Sequence, residues 1–506
     1  MHSVRACMAI DLGTSSCKAA IVDERLNIRA MAASPFETKY PQPRYAEQDP
    51  NDWWMAVCEA AKLALSNVGD AHVEVVALSS QREGLVMLDE HFQPVRNAIV
   101  WIDRRAVAEL DELLSDFGVD GIARITGVVP SAGFSAPLLR WVRKHEGDVL
   151  KRTAFITQPK GFLVARMTGK HAIDATLAPR FSLVDMKRMR YDEALLNWAG
   201  IGEDQLPRIV EPTEVVGGLT RDAARQLGLK AGTPVIAGMG DRQCEALGIA
   251  LKPMEDVMVA SGTAANISVL THLSEIELDP RVARGPHING LMQLEVGLWA
   301  CGAVLNWLAS CLKVRRDDFL EWVERACHAS SNADSLIVLP FFAGASAPHW
   351  DAKVLACIIG LSLGHSDEDI VRATVEAIAV EIAENVALYR GKMQTLRCAV
   401  HCGGLAHLAP FNQAIADATE LEVMLPKHRD AAVLGAACIG LSHIAGADAF
   451  ELARQINPRV KVISPTEDGA ARMRLRGEMQ RRAYDAIAPL MHALHNELSK
   501  RNGFVT

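Results

Sequence analysis

The sequence predicts an α/β protein built as two lobes of similar plan, and three observations lead there. Short β-rich runs alternate with longer amphipathic stretches along the chain. The segment Asp256–Leu270, DVMVASGTAANISVL, repeats the strand–Gly-Thr–strand pattern of residues 6–22. With 506 residues, the chain is long enough for two large units. The echo spans only about fifteen residues, so it marks a second beginning rather than a tandem array. A hinge is expected near Lys252–Pro253, with lobes at 1–251 and 252–506.

Each element has a local reason. Cys7–Leu12 and Lys18–Asp23 read as strands joined by a Gly-Thr-Ser-Ser turn. Asn51–Val68 reads as a helix, with Asp49 or Asn51 as its cap before an apolar face. Val73–Ser79 and Gly84–Asp89 read as strands, Ala106–Leu114 and Phe134–Glu146 as helices, and Ala154–Thr157 as a strand. Thr233–Gly240 predicts a strand running into Asp241 and a helix over Arg242–Leu251. Further helices are expected at Gly302–Leu312, Asp317–His328, Ser366–Gly391, Ala409–Thr419 and Ala431–Ala445.

Composition narrows the function. Apolar residues at 49% and charged residues at 23% exclude a disordered or collagen-like chain. Aromatics at 5% favour close helix–sheet packing over an aromatic-rich β shell. A net charge of -8 argues against nucleic acid or an anionic membrane as the main partner, while leaving small anionic ligands open. No apolar run reaches the length of a spanning helix; Ala431–Ala447 comes nearest, and Ser442, His443 and its glycines make it a packed helix. The start shows no signal peptide, and eleven scattered cysteines without a CxxC pair fit reduced, cytoplasmic usage. Cys398, His401, Cys402 and His407 form a tight group, but the spacing matches a strand and glycine turn better than a zinc site.

The chemistry starts at the first hairpin. Gly13 permits turn geometry, and Thr14, Ser15 and Ser16 add hydroxyls beside exposed N–H groups, a concavity suited to phosphate oxygens. Lys18 is placed to neutralise phosphate charge and Asp11 to hold hydrated Mg²⁺. Taken alone, a plain structural hairpin is an equal reading. The second hairpin, Ser261-Gly262-Thr263, favours function, because two such turns, one per lobe, suit a polyphosphate gripped from both sides.

At this point the chain resembles the FGGY-type carbohydrate kinases, members of the actin–hexokinase–chaperone (ribonuclease-H-like) superfamily. The motifs arrive in the family's order: DLGTSSCK, EQDPNDWW (Glu47–Trp54), NAIVWIDRR (Asn97–Arg105), GFSAPLLRWVRKHE (Gly133–Glu146), GMGDRQCEALG (Gly238–Gly248) and SGTAANI (Ser261–Ile267). ACIIGLSLGHSDEDIVRATVE (Ala356–Glu376) is similar to the C-terminal signature, and CGGLAHLAPFNQAIAD (Cys402–Asp417) to the adenosine-binding segment. The resemblance implies a two-lobed fold with an interlobe cleft. The N-terminal lobe would hold sugar and catalytic base, and the C-terminal lobe the nucleotide. It implies ATP and Mg²⁺ as cofactors, Asp241 as the base, and Thr14, Ser15, Lys18, Gly262, Thr263, Gly302, Asn306, Gly403 and Gly404 around the nucleotide. Asp241 also has a bare reading as an ordinary helix cap, whereas a helix N-terminus would keep it ionised and able to accept a proton.

Gln81-Arg82-Glu83 resembles glycerol kinases, while EQDPNDWW and the helix after Gly133 are closer to xylulokinases. Trp101, Asp103 and Arg242 are expected to complete the substrate wall, although a core Trp and a surface Asp read equally well. The family's lysine in the 133–146 helix is Leu138 here, the pocket tyrosine of glycerol kinases corresponds to Gly133, and a polar adenine-site position is Leu408. Arg242, where Asn or Gln is usual, favours an acidic or more oxygenated acceptor. The expected activity is phosphorylation of a terminal hydroxyl of a small ketose or polyol, xylulose ranked first and glycerol second. An actin- or chaperone-like ATPase and a silent sugar sensor are the rivals. A small sugar or polyol is the expected partner, with a homodimer left open.

Overall fold

The computed structural model describes residues 4–69, 71–272, 278–315 and 318–502. They form two units: Met1–Ala250 with His272–Gln293 and Asp430–Pro458, and Leu251–Thr271 with Leu294–Arg429 and Arg459–Thr506. These differ from the continuous halves 1–251 and 252–506, because two later stretches return to the first unit.

In the first unit, strands β1 (Val4–Leu12), β2 (Ser16–Asp23), β3 (Ile28–Pro35), β4 (Ala71–Ser80), β5 (Val215–Gly218) and β6 (Pro234–Gly240) build one sheet in the order β5-β6-β4-β1-β2-β3. β1 runs antiparallel to β2 and parallel to β4, and β4 runs parallel to β6. Both faces of β1 are covered, which explains its nearly unbroken apolar run. On one face Met8, Ile10 and Leu12 join Trp53, Val57 and Ala61 of α1 (Pro50–Leu65) in the core. On the other, Cys7 meets Gly440 of the helix Ala431–Ala445, where an added Cβ would come within 2.1 Å of Sγ. That helix also packs on α2 (Asp241–Gly248): a Cβ on Gly248 would lie 1.9 Å from the Ala431 carbonyl, and one on Gly435 2.0 Å from that of Cys244. Paired glycines thus let two helix backbones approach at van der Waals distance.

The second unit repeats the hairpin-plus-parallel-strand plan. β7 (Asp256–Ser261) pairs antiparallel with β8 (Ala265–Thr271) and parallel with β10 (Cys398–Cys402). With β9 (Met292–Leu298), β11 (Glu422–Pro426) and β12 (Arg459–Ile463), these make six strands of a seven-stranded sheet, in the order β9-β8-β7-β10-β11-β12. A 24-residue helix, Asp367–Arg390, opens on a capping box formed by Ser366 and Asp369. It packs against the long C-terminal helix Glu467–Asn502.

Most expected elements are present with shifted ends. Asp49 is the cap of α1, accepting from the Asn51 N–H. The expected strand Gly84–Asp89 shrinks to Val86–Leu88, since Gly84 has a positive φ of 78°. The helix expected from Asp317 runs Phe319–Ala329, and its expected start lies outside the described residues. All eleven cysteines are free thiols, in no disulfide. No helix among the described residues is long and apolar enough to cross a membrane.

Candidate active site

Sheet register assembles the polar residues of the first unit. Asp11 lies opposite Lys18 on β2 and Ser79 on β4, so three neighbouring strands present one polar row. The Ser79 hydroxyl donates to Asp11 Oδ1 at 2.7 Å, and Lys18 Nζ reaches Asp430 Oδ1 at 2.6 Å. Burial pushes the Asp11 carboxyl up to about 6; the Ser79 bond opposes this, and the negative charge of Asp241 adds to it. At the head of the row the turn is pinned: Gly13 N–H donates to the Ser16 carbonyl, and Gln48 Nε2 to that of Thr14. Ser15 stays exposed.

β6 ends beside β4, with Gly240 opposite Ser80, and delivers Asp241 as the first residue of α2. Thr176 fixes this end by accepting from the Gly240 N–H at 2.9 Å while donating to Asp174, itself paired with Lys160 at 2.8 Å. Lys160 and Asp174 are fully buried, so each needs the other to offset desolvation. From Asp241 a chain of charges runs inward. Arg82 Nε lies 3.3 Å from Asp241 Oδ1 and 4.0 Å from Glu83, and Arg180 lies 3.3 Å from Glu83. Glu83 sits at φ 62°, a left-handed conformation rare outside glycine, held by this packing. Arg242 turns the other way to Glu245 Oε2 at 2.6 Å, which holds its guanidinium above the ordinary value. Asp241 is 30% exposed, enough to meet a solute.

The second unit carries the other turn. Gly262, Thr263 and Ala264 are exposed. An added Cβ at Gly262 would meet only the Ala264 carbonyl, at 4.0 Å, leaving open space above the turn. Its carbonyls accept from the first N–H groups of α3 (Gly302–Cys311): Gly302 to Gly262 at 2.8 Å and Ala303 to Thr263 at 3.1 Å. Gly403, at φ 90°, passes so close that a Cβ would lie 2.3 Å from the Ser261 carbonyl, whereas nothing crowds Gly404. His401 bridges the layers, with Nε2 on the Ser261 hydroxyl at 2.6 Å and Nδ1 on Asn412. Burial lowers its pKa to about 4, so the ring is neutral at pH 7. Asn306 is exposed one turn into α3.

Residues 6–248 match the FGGY family of carbohydrate kinases, N-terminal domain, and residues 257–443 match the C-terminal domain of the same family. The chain belongs to the FGGY family of carbohydrate kinases. A glycerol kinase from Thermococcus onnurineus (strain NA1) is 30% identical over 491 residues, 93% of this chain and 96% of that protein. A xylulose kinase from Escherichia coli (strain K12) is 28% identical over 496 residues, 96% and 99% of the two chains. Among solved structures, a xyloylose kinase from Brucella ovis is similar with a TM-score of 0.88 at 26% identity, over 96% of this chain and 99% of that one. The protein is thus an ATP-dependent carbohydrate kinase with the two-lobed actin/hexokinase-like fold.

In this FGGY kinase two of the expected substrate-side residues, Asp103 and Gln81, are buried. Asp103 is fully buried and saturated, accepting from the Ala46 N–H and the Arg105 guanidinium, so it braces the 97–105 loop. Gln81 is 1% exposed and donates to Gln48, beneath the first hairpin. Trp101 keeps 39% exposure, its indole N–H donating to the Thr14 hydroxyl at 3.2 Å. Gly133 faces the Trp101 carbonyl, which an added Cβ would approach to 2.1 Å; a tyrosine cannot stand there without moving that loop. Sequence reasoning missed Ser79, Lys160, Asp174, Thr176, Arg180, Glu245 and Asp430. Glu245 alone carried a local signal, one turn after Asp241 on the same helix.

Proposed function

We propose that this kinase phosphorylates a terminal hydroxyl of a small ketose or polyol, a ketopentose such as xylulose first and glycerol second, and that Asp241 is its general base. The observation carrying this is Asp241 at the start of α2, partly exposed and held by Arg82. Arg82 and Glu83 supply donor and acceptor for vicinal hydroxyls. Asp241 takes the proton as the hydroxyl oxygen bonds to phosphorus and the bond to the departing diphosphate breaks. ATP supplies the phosphoryl group. Gly262, Thr263, Gly302, Asn306, Gly403 and Gly404 would hold the nucleotide from the second unit, and Thr14, Ser15 and Lys18 belong to the phosphate site of the first. The open space above Gly262 and Gly404 fits such a ligand. Asp11 would hold Mg²⁺. Among the described residues no three acidic, His or Cys groups form a metal cage, which fits an ion kept mainly by water and phosphate.

Two features support a ketopentose over glycerol: the motifs at 47–54 and 133–146, and the absence at Gly133 of the side chain that would narrow the pocket. Relatives carry both names, so kcat/KM over xylulose, ribulose, glycerol and erythritol is the deciding measurement. Asp241→Asn should lower kcat on the best acceptor by about 10² to 10⁴ while leaving ATP affinity in place. Near-normal turnover would remove Asp241 from the mechanism.

A further inference from the structure

Arg242 occupies the position after the proposed base, and a free guanidinium there would offer a planar two-point fork to a carboxylate. The sequence alone points to an acidic or more oxygenated acceptor. In the structure that guanidinium already has a carboxylate partner. Arg242 Nη1 is engaged by Glu245 Oε2 at 2.6 Å, three residues on along α2. Both side chains remain partly open, at 32% and 21% exposure, in the same region as Asp241. The charges of Asp241 and Arg82 both act on Arg242, so the pair stands beside the residues proposed to meet the acceptor. A sugar acid entering there would meet an Arg242 whose charge Glu245 already offsets, and would face the negative charges of Glu245 and Asp241. A neutral polyol meets neither obstacle.

We infer that Glu245 is a specificity-determining residue: by occupying Arg242 it makes the acceptor site selective for uncharged ketoses and polyols over sugar acids of the same chain length. This rests on the reading of Asp241 and Arg82 as the acceptor site. It assigns discrimination to an element of repulsion rather than to an added attraction.

The test measures kcat/KM for the best neutral acceptor of the panel and for xylonate and gluconate, with the full chain. Wild type should prefer the neutral acceptor. Glu245→Gln should raise the acid-to-neutral ratio by about tenfold or more. Arg242→Gln in that background should cancel the gain, because the freed guanidinium is what the acid would use. A purely structural role for Glu245 would lower both rates and leave their ratio unmoved. Glu245→Ala makes the same removal of charge if the Gln variant fails to fold. An unmoved ratio, or an equal rise in the double variant, overturns the role of Glu245 alone. If no acceptor is phosphorylated by wild type, the acceptor-site reading falls and this inference falls with it.

Discussion

At the scale of single residues, what a side chain touches decides between roles that the sequence leaves equal. Asp103 and Asp241 both follow motifs of the same family, yet one is enclosed by Arg105 and the Ala46 N–H while the other stands open at a helix start. Gly262 offers a clean probe of the second turn. Because a Cβ there meets no protein atom closer than 4.0 Å, Gly262→Val should fold normally. Any loss of ATP affinity would then report on the ligand's approach rather than on protein strain. We expect ATP binding by calorimetry to weaken by tenfold or more, about 1.4 kcal/mol, with acceptor binding unchanged. Unaltered ATP affinity would make the turn a structural hairpin only.

At the scale of elements, the sequence displayed strands and helices wherever burial imposes a period, and lost them where tertiary contacts do the work. The helix α1 was legible because Asp49 caps an apolar face, Ala409–Thr419 because Pro410 stands in its first turn, and Ala431–Ala445 because a long apolar run ends at Gly446. The helix Pro159–Thr168 was not, because its lysine is buried on a distant aspartate that no local pattern announces. The same holds for Arg180, whose partner lies about a hundred residues earlier. The Glu467–Asn502 helix is polar over much of its length, and its contribution is made against Asp367–Arg390. There Glu381 is nearly buried, accepting from Gln480 Nε2 at 3.1 Å. Burial, helped by the charge of Glu384, pushes its pKa up to about 8 from an ordinary 4.5. The native state therefore keeps this proton where the unfolded chain has released it. Stability falls as pH rises from about 4.5 to 8, by up to about 1.4 kcal/mol for each pH unit. Glu381→Gln should stabilise the protein at pH 9, with the gain shrinking toward pH 5 in denaturant titrations. An equal shift at both pH values would contradict this assignment.

At the scale of the whole molecule, the chain leaves and re-enters its first unit, so sequence halves are not folding halves. A fragment of residues 1–251 lacks the helix Ala431–Ala445 and leaves the Cys7 face of β1 uncovered. It should keep helical and strand content by far-ultraviolet circular dichroism but lose near-ultraviolet signal and bind hydrophobic dyes. Adding residues 430–458 by fusion should restore fixed packing; a well-packed 1–251 fragment would show the helix to be dispensable. The same glycine-mediated seam has a consequence during synthesis. On the ribosome the six-stranded sheet is complete by residue 240, yet its covering helix ends at residue 445. At roughly 5–20 residues per second, that interval lasts on the order of 10–40 s. Throughout it, an apolar sheet face is exposed on the nascent chain, and this stretch of translation is where a chaperone has the most to protect.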